Sequence, residues 1–242
     1  MISVDFSYAY IAFILFFGFV WLSVFLARPD LRKEILFMSF VCAPLGILGD
    51  FFYRYDYYNL PNLNGTYWYL YSFALGFIYG GVTAVLYEEL VRKHHTTRRI
   101  RRMLEHPWCF WGVLLSGSFV MVVGTFILRI NSLYVSLLVM AVAGLWIVVH
   151  RRDLLIEALG SGAALCAVTY IFYGGFQVAF PGVFESQWNI ADLSGVLIAN
   201  VPLEEYLWAF TWGFLAGPAY EYVVGFRFAL GSSVSRRTAS GK

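Results

Sequence analysis

The chain alternates long apolar stretches with short segments that hold most of its charged residues. A helix needs roughly 17–25 predominantly apolar residues to cross the hydrocarbon layer of a membrane. The stretches that meet this length predict seven transmembrane helices, at Tyr8–Leu26, Ile35–Phe52, Thr66–Val91, Trp108–Leu128, Leu133–Val149, Leu155–Phe176 and Val201–Phe226. The pattern therefore predicts an all-α, polytopic membrane protein that forms a single integral membrane domain over residues 1–242.

The composition agrees with this prediction. Hydrophobic residues make up 60% of the chain and charged residues only 13%, whereas soluble domains contain about 25% charged residues. The three cysteines all lie inside predicted helices, and the four histidines lie beside basic residues. Neither pattern predicts a disulfide framework or a metal site.

The lysines and arginines predict the orientation of the chain. Of the 17 basic side chains, the loops on one side of the seven predicted helices receive all but two, Arg54 and Arg129. Because basic residues are enriched in cytoplasmic loops, we expect an N-terminus outside the cell membrane and a polar cytoplasmic tail at 227–242. Membrane topology alone accounts for the positions of these basic residues. We therefore expect membrane lipid as a partner, and we do not expect nucleic acid.

Two parts of the chain resemble each other. Segment 28–34 carries Arg, Asp, Leu and Glu in the same order as segment 152–157, and segments 73–80 and 210–217 share an aromatic pattern with two glycines four residues apart. These matches predict a first three-helix repeat at 1–91, a basic loop and linker helix at 92–132, and a second three-helix repeat at 133–226. Because equivalent helices run in the same direction, this 3+1+3 arrangement is a pair of parallel repeats. The glycine pairs are expected to allow close helix packing.

The last predicted helix begins with two adjacent carboxyl groups, Glu204 and Glu205, which follow Asn200 and Pro202. Asn200 is expected to cap the helix and Pro202 to lie in its first turn. A charged side chain inside a membrane costs several kcal/mol, so such a pair is a candidate functional site. The alternative is that both glutamates are interfacial residues that favour the positive end of the helix dipole.

Aromatic residues surround this carboxyl pair in the sequence. Trp208 and Trp212 lie one and two turns further along the same helix, and Trp68 opens the equivalent helix of the first half. The faces of such rings attract cations, although an interfacial aromatic belt would give the same pattern. Asp50 lies at the end of the second predicted helix and could assist the glutamates or pair with Arg54.

The segment from Trp188 through Asn200-Val201-Pro202-Leu203-Glu204-Glu205 resembles the lycopene cyclase domain family of flavin-independent membrane enzymes. The resemblance implies that an acyclic carotenoid is the substrate and that a carboxylic acid protonates its terminal double bond. It implies Glu204, Glu205 and Asp50 as catalytic residues and five substrate-binding residues, namely Trp208, Trp212, Trp68, Pro202 and Asn200.

The resemblance also implies an isomerase that needs no cofactor, and the chain has no Gly-x-Gly-x-x-Gly pattern for a flavin nucleotide. A homodimer or an association with other carotenoid enzymes is left open. The first half departs from the family pattern, because segment 59–65 lacks a glutamate pair.

A second class of protein fits the same architecture. Small sugar transporters of the SWEET type also consist of two parallel three-helix repeats joined by a linker helix. Such a transporter needs a polar cavity in mid-membrane, whereas serine and threonine are sparse in the predicted helices. The transporter is therefore the alternative function.

The charge distribution generates a prediction about topology. Accessibility tags placed at residues 1 and 242 should report opposite sides of the membrane, with residue 242 in the cytoplasm, because an odd number of helices separates them. Labelling of intact cells with an impermeant reagent measures this, and two tags on the same side would contradict the seven-helix count.

Overall fold

A computed structural model describes residues 7–58, 68–91, 94–96, 107–225 and 227–229. This part of the chain is mostly helical. The helices are α1 (Ser7–Ala27), α2 (Arg32–Asp56), α3 (Trp68–Val91), α4 (Pro107–Val122), α5 (Ser132–His150), α6 (Leu155–Ala179), α7 (Val183–Gln187), α8 (Leu203–Ala216) and α9 (Ala219–Val224). A π-helical turn, Val123–Ile127, extends α4, and short 3₁₀ turns occupy Arg152–Leu154 and Ile190–Asp192.

Four short strands form two antiparallel pairs. Strand β1 (His94–Thr96) pairs with β4 (Arg227–Ala229), and β2 (Leu197–Ile198) pairs with β3 (Val201–Pro202). The second pair lies directly before α8 and sets the direction in which that helix starts. Among the described residues, the strands therefore lie in connections between helices or, for β4, after the last helix.

Four of the described helical segments are long and apolar enough to cross a membrane: Arg32–Asp56, Tyr69–Val91, Ser132–His150 and Arg152–Ala179. Two shorter apolar helices lie at Ile11–Ala27 and Gly112–Ile127. These segments support a membrane protein. The seven-helix count and the orientation of the termini remain predictions.

The last predicted span, Val201–Phe226, is not one continuous helix. Residues Val201 and Pro202 belong to β3, α8 ends at Ala216, and α9 starts at Ala219. Pro218 explains the break, because proline has no backbone N–H to continue the helical hydrogen bonds and its ring crowds the preceding turn. The prediction of one helix at Val201–Phe226 is therefore wrong.

Glycine allows two pairs of helices to pack closely. A Cβ atom added to Gly76 on α3 would lie 2.5 Å from the Cys42 carbonyl oxygen on α2, and one added to Gly213 on α8 would lie 2.6 Å from the Ser161 carbonyl oxygen on α6. A real Cβ atom does not approach a backbone oxygen this closely, so a residue with a side chain would not fit at either position without a shift of the helices. The glycines at 76 and 213 thus bring α3 against α2 and α8 against α6, as expected for small residues at membrane helix interfaces.

The connections before α2 and before α6 contain the same pair of charged groups. Arg28 donates from Nε and Nη2 to the two carboxylate oxygens of Asp30, and Arg151 donates in the same way to Asp153. Arg151, and not Arg152 as the sequence match indicated, is therefore the equivalent of Arg28. Nearby, Glu34 and Glu157 occupy equivalent positions near the start of their helices, and both are buried. The two connections therefore share their hydrogen bonding as well as their sequence pattern.

The close contact at Gly213 generates a prediction about stability. Replacing Gly213 by valine should lower the free energy of unfolding by about 1–3 kcal/mol, because α6 and α8 must move apart to admit the new side chain. The melting temperature in detergent measures this loss. Gly174 on α6 is the matched control, since a Cβ added there meets no atom within 4 Å, and G174A should melt no lower than the original protein.

Candidate functional site

A tight hairpin turn determines where α8 begins. Strands β2 and β3 flank Ala199 and Asn200, whose φ angles are +52° and +60°. Two consecutive residues with positive φ form the two-residue turn that suits a β-hairpin, and asparagine tolerates this conformation. Asn200 is therefore a turn residue and not the helix N-cap, a position that Pro202 occupies. The predicted capping role of Asn200 and the predicted place of Pro202 in the first turn are wrong for this reason.

A cavity of about 530 Å³ runs between α2, α3, α5 and α8, with α4 along one side. Most of its lining is apolar or aromatic. Among the described lining residues, the charged side chains are Asp50, Arg54 and Glu205. Among the residues predicted to bind substrate, Trp208 and Trp212 line it, whereas Asn200 and Pro202 are not part of its described lining.

Glu205 is the carboxyl group of α8 that reaches this cavity, and its side chain is buried. Its Oε1 accepts hydrogen bonds from the Tyr57 hydroxyl and from Trp188 Nε1, the latter at 2.6 Å. Its Oε2 accepts a hydrogen bond of 3.0 Å from the Tyr173 hydroxyl. These donors come from the end of α2, from α6 and from the connection after α7, so three segments converge on one carboxyl group.

The protonation of Tyr57 is consistent with its role as a donor. Burial raises the pKa of Tyr57 well above its ordinary value, and the Glu205 carboxylate raises it further. The hydroxyl therefore keeps its proton at neutral pH and directs it toward Glu205. When Glu205 is ionised, this bond becomes charge-assisted and is stronger than one between neutral groups.

Glu204 points away from the cavity, although it is adjacent to Glu205 in the sequence. Its Oε1 accepts a hydrogen bond of 2.7 Å from the Ser194 backbone N–H and one of 2.9 Å from the Tyr134 hydroxyl. Neighbouring residues on a helix do not face the same direction. The structure therefore separates the two glutamates, and Glu204 links α8 to α5 and to the loop before β2.

Asp50 lies at the same end of the cavity as Glu205 and forms part of its lining. Its Oδ2 accepts hydrogen bonds from Arg54 Nε at 2.7 Å and from the Ser72 hydroxyl at 2.8 Å. The Tyr58 hydroxyl donates to its Oδ1. The ion pair with Arg54 is present, and both of its side chains line the cavity.

Aromatic rings continue from the carboxyl groups into the cavity. The Trp208 and Trp212 rings stack with centroids 5.9 Å apart, and the Trp208 ring lies 5.7 Å from that of Tyr79. Trp208 Nε1 donates to the Tyr53 hydroxyl at 2.7 Å. Trp68 is the first residue of α3, and its side chain lies outside the described part of the structure.

The three hydrogen-bond donors to Glu205 were not predicted from the sequence. They are Tyr57, Tyr173 and Trp188. Several tyrosines cluster at the end of α2, and this cluster is the sequence feature that could have indicated a role for Tyr57. Tyr173 lies within an aromatic stretch of α6 that has no distinguishing pattern. Trp188 was noticed only as the start of the segment that resembles the cyclase family.

A second group of carboxyl side chains lies outside the cavity lining. Glu88, Glu157 and Glu221 are buried, and one carboxylate oxygen from each lies within 4.8 Å of the others. Oxygen atoms at this spacing could hold a hard divalent cation, and no metal was predicted here because the three residues lie on α3, α6 and α9. Nothing in the sequence pattern brings these three residues together, because they are far apart in the chain.

The comparisons with known proteins give one match. A family model described as lycopene cyclase matches residues 131–223. This region includes α5 to α8, both glutamates and Trp188, and the match confirms the resemblance seen in the Pro-Leu-Glu-Glu segment. No curated protein and no solved structure matches the chain.

The contacts of Glu204 generate a prediction about stability. E204Q and Y134F should each lower the free energy of unfolding by about 0.5–1.5 kcal/mol, since each weakens the same hydrogen bond. The double variant should lose less than the sum of the two, because partners in one bond are coupled. Melting temperatures in detergent test this, and strictly additive losses would contradict the bond.

Proposed function

Because residues 131–223 match the lycopene cyclase family, we propose that the protein is a carotenoid cyclase of the lycopene β-cyclase type. The observation that carries this proposal is the cavity itself. Its apolar and aromatic lining can accept a hydrocarbon chain, and a buried carboxyl group, Glu205, reaches it at one end. An acid inside an apolar cavity is the arrangement that protonation of a carbon–carbon double bond requires.

The proposed reaction is an isomerisation. The Glu205 carboxylic acid protonates the terminal double bond of an acyclic carotenoid, and the resulting cation is attacked by the C5–C6 double bond. Loss of a proton from the ring then gives the β-ionone end group. One proton is added and one is removed, so no electrons are transferred and the proposed reaction uses no redox cofactor.

The hydrogen bonds around Glu205 support its role as the acid. When the proton leaves, negative charge develops on a carboxylate that three donors, from Tyr57, Tyr173 and Trp188, already surround. Donors that are already in position stabilise developing charge without reorganisation. Glu204 has no comparable place beside the cavity, and we assign it the role of holding the loop before α8.

The carbocation needs stabilisation after protonation. The stacked faces of Trp208 and Trp212 line the cavity beyond Glu205, and such faces contribute about 2 kcal/mol each to a desolvated cation. The Asp50 carboxyl group, paired with Arg54, also lines the cavity. We assign Asp50 the role of stabilising the cation and accepting the proton that it loses.

The apolar lining has a second role in this proposal. A carbocation reacts rapidly with water, so the enzyme must keep water away until the ring closes. The cavity surface beyond the two carboxyl groups consists largely of side chains such as Leu45, Leu75 and Val139. Exclusion of water from an active site suppresses such side reactions.

We also propose the 3+1+3 arrangement of seven helices, with repeats at 1–91 and 133–226. The shared ion pairs before α2 and α6 support it, as do the close contacts at Gly76 and Gly213. In this arrangement the two halves of the chain supply different residues to the site. The first half supplies Asp50 and Tyr57, and the second half supplies Glu205.

The transporter alternative receives no support. The family match concerns a cyclase, and the described cavity lining is mostly apolar and would not replace the hydration of a sugar. Location in the cell membrane, with the N-terminus outside, and association with other carotenoid enzymes remain part of the proposal.

The proposal is tested by the pigment of a lycopene-accumulating bacterium that expresses this protein. The original protein should convert red lycopene to yellow-orange cyclised products without added flavin. E205Q should lower the rate by about 10²–10⁴-fold, because the amide keeps the shape of the side chain but cannot donate an acidic proton. Chromatography of extracted pigment measures both results at matched protein levels.

Two further glutamates serve as controls in the same assay. Glu185 is exposed on α7, and E185Q should match the original protein. E204Q should retain most of the activity if Glu204 is structural. Full activity of E205Q, or an inactive E204Q that still melts normally, would refute the assignment of the acid.

A further inference from the structure

The cavity is elongated along the helices. Its lining on α2 runs from Asp50 back to Met38, and its lining on α8 runs from Glu205 to Ala216. At 1.5 Å per residue these stretches span about 18 Å and about 16 Å. Met38 and Ala216 belong to one core cluster, so the two helices enclose the same far end.

The two ends of the cavity differ chemically. The near end holds Asp50, Arg54 and Glu205. The far end is lined by Met38, Cys42 and Ala216. Among the described lining residues, Asp50 and Glu205 are the only carboxyl groups, so protonation can occur at a single end.

We propose that the substrate enters lengthwise and that one end of the molecule reacts in each binding event. This inference rests on the function proposed above. One terminus of a linear polyene lies against Glu205, and the other extends toward Ala216 and beyond, where no lining carboxyl group can protonate it. A second ring therefore requires release of the one-ring product and its return in the opposite direction.

This arrangement makes Ala216 a specificity-determining residue. Its methyl group is buried at the far end of the cavity, and a larger side chain there would occupy space that a long substrate needs. A short polyene needs only the space near Glu205. Ala216 thus determines the length of chain that can reach the acid.

The direct test uses the original protein and needs no variant. Labelled lycopene is supplied together with an excess of unlabelled one-ring carotenoid. If the one-ring product is released, label should accumulate in the one-ring product and little should reach the two-ring product. If both ends react in one binding event, label will enter the two-ring product despite the excess, and the inference is wrong.

The second test concerns substrate length. A216F should slow cyclisation of lycopene by about tenfold or more, a discrimination that a change in an apolar pocket can produce. It should leave cyclisation of a polyene of half the length nearly unchanged. L207F is the matched control, because Leu207 lies on the same helix, is 43% exposed and is not part of the described cavity lining.

The outcomes separate the two proposals. If the original protein cyclises neither polyene, the proposed function fails. Suppose that the original protein cyclises both polyenes, and that A216F slows both reactions equally or slows neither. The lengthwise inference then fails, while the proposed function stands. Melting temperatures in detergent show whether A216F is folded. If A216F is not folded, the labelling test with the original protein decides whether one end reacts in each binding event.

Discussion

The carboxyl group of Glu205 is the point on which the rest of the site depends. Burying a carboxyl group in an apolar bundle is costly unless hydrogen bonds compensate it, and three donors do so here. Each donor comes from a different segment. The end of α2, the C-terminal part of α6 and the connection after α7 must therefore all be in place before Glu205 can be accommodated, so the same bonds that stabilise the carboxyl group also assemble the cavity.

The glycine contacts work together with these bonds. Close packing at Gly76 and Gly213 brings α3 onto α2 and α8 onto α6, which leaves the space between the two helix pairs open. Hydrocarbon offers helices no hydrophobic drive to associate, so contacts that depend on small residues carry more of the packing. Bulky aromatic side chains, among them Trp208 and Trp212, then line the opening. A cavity for an apolar substrate results from tight packing within each pair and loose packing between them.

The two halves of the chain contribute unequally. Similar sequence patterns give similar local structures, as the bonds of Arg28 to Asp30 and of Arg151 to Asp153 show. The halves differ where the site is built, because the glutamate pair occurs only in the second half of the sequence. Under the proposed function and the proposed repeats, this asymmetry explains how the cavity would have one acidic end and the protein would act on one end of its substrate at a time.

The sequence by itself determined the properties that depend on composition and periodicity. Apolar stretches of sufficient length indicated a membrane protein, and the Pro-Leu-Glu-Glu segment indicated the similarity to lycopene cyclases that the family model finds over residues 131–223. The positions of individual side chains could not be predicted in this way. Two adjacent glutamates look equivalent in a sequence, and only the direction of each side chain from α8 decided that Glu205 reaches the cavity while Glu204 bonds to Tyr134 and Ser194. The break at Pro218 has a local cause in the proline itself. The hairpin turn at Asn200, by contrast, depended on the tertiary structure, because a local pattern cannot show that a neighbouring strand pairs with the residues before a helix. Glu88, Glu157 and Glu221 meet for a related reason: contacts between residues far apart in the chain follow from how helices pack, and helix packing is decided by the tertiary structure.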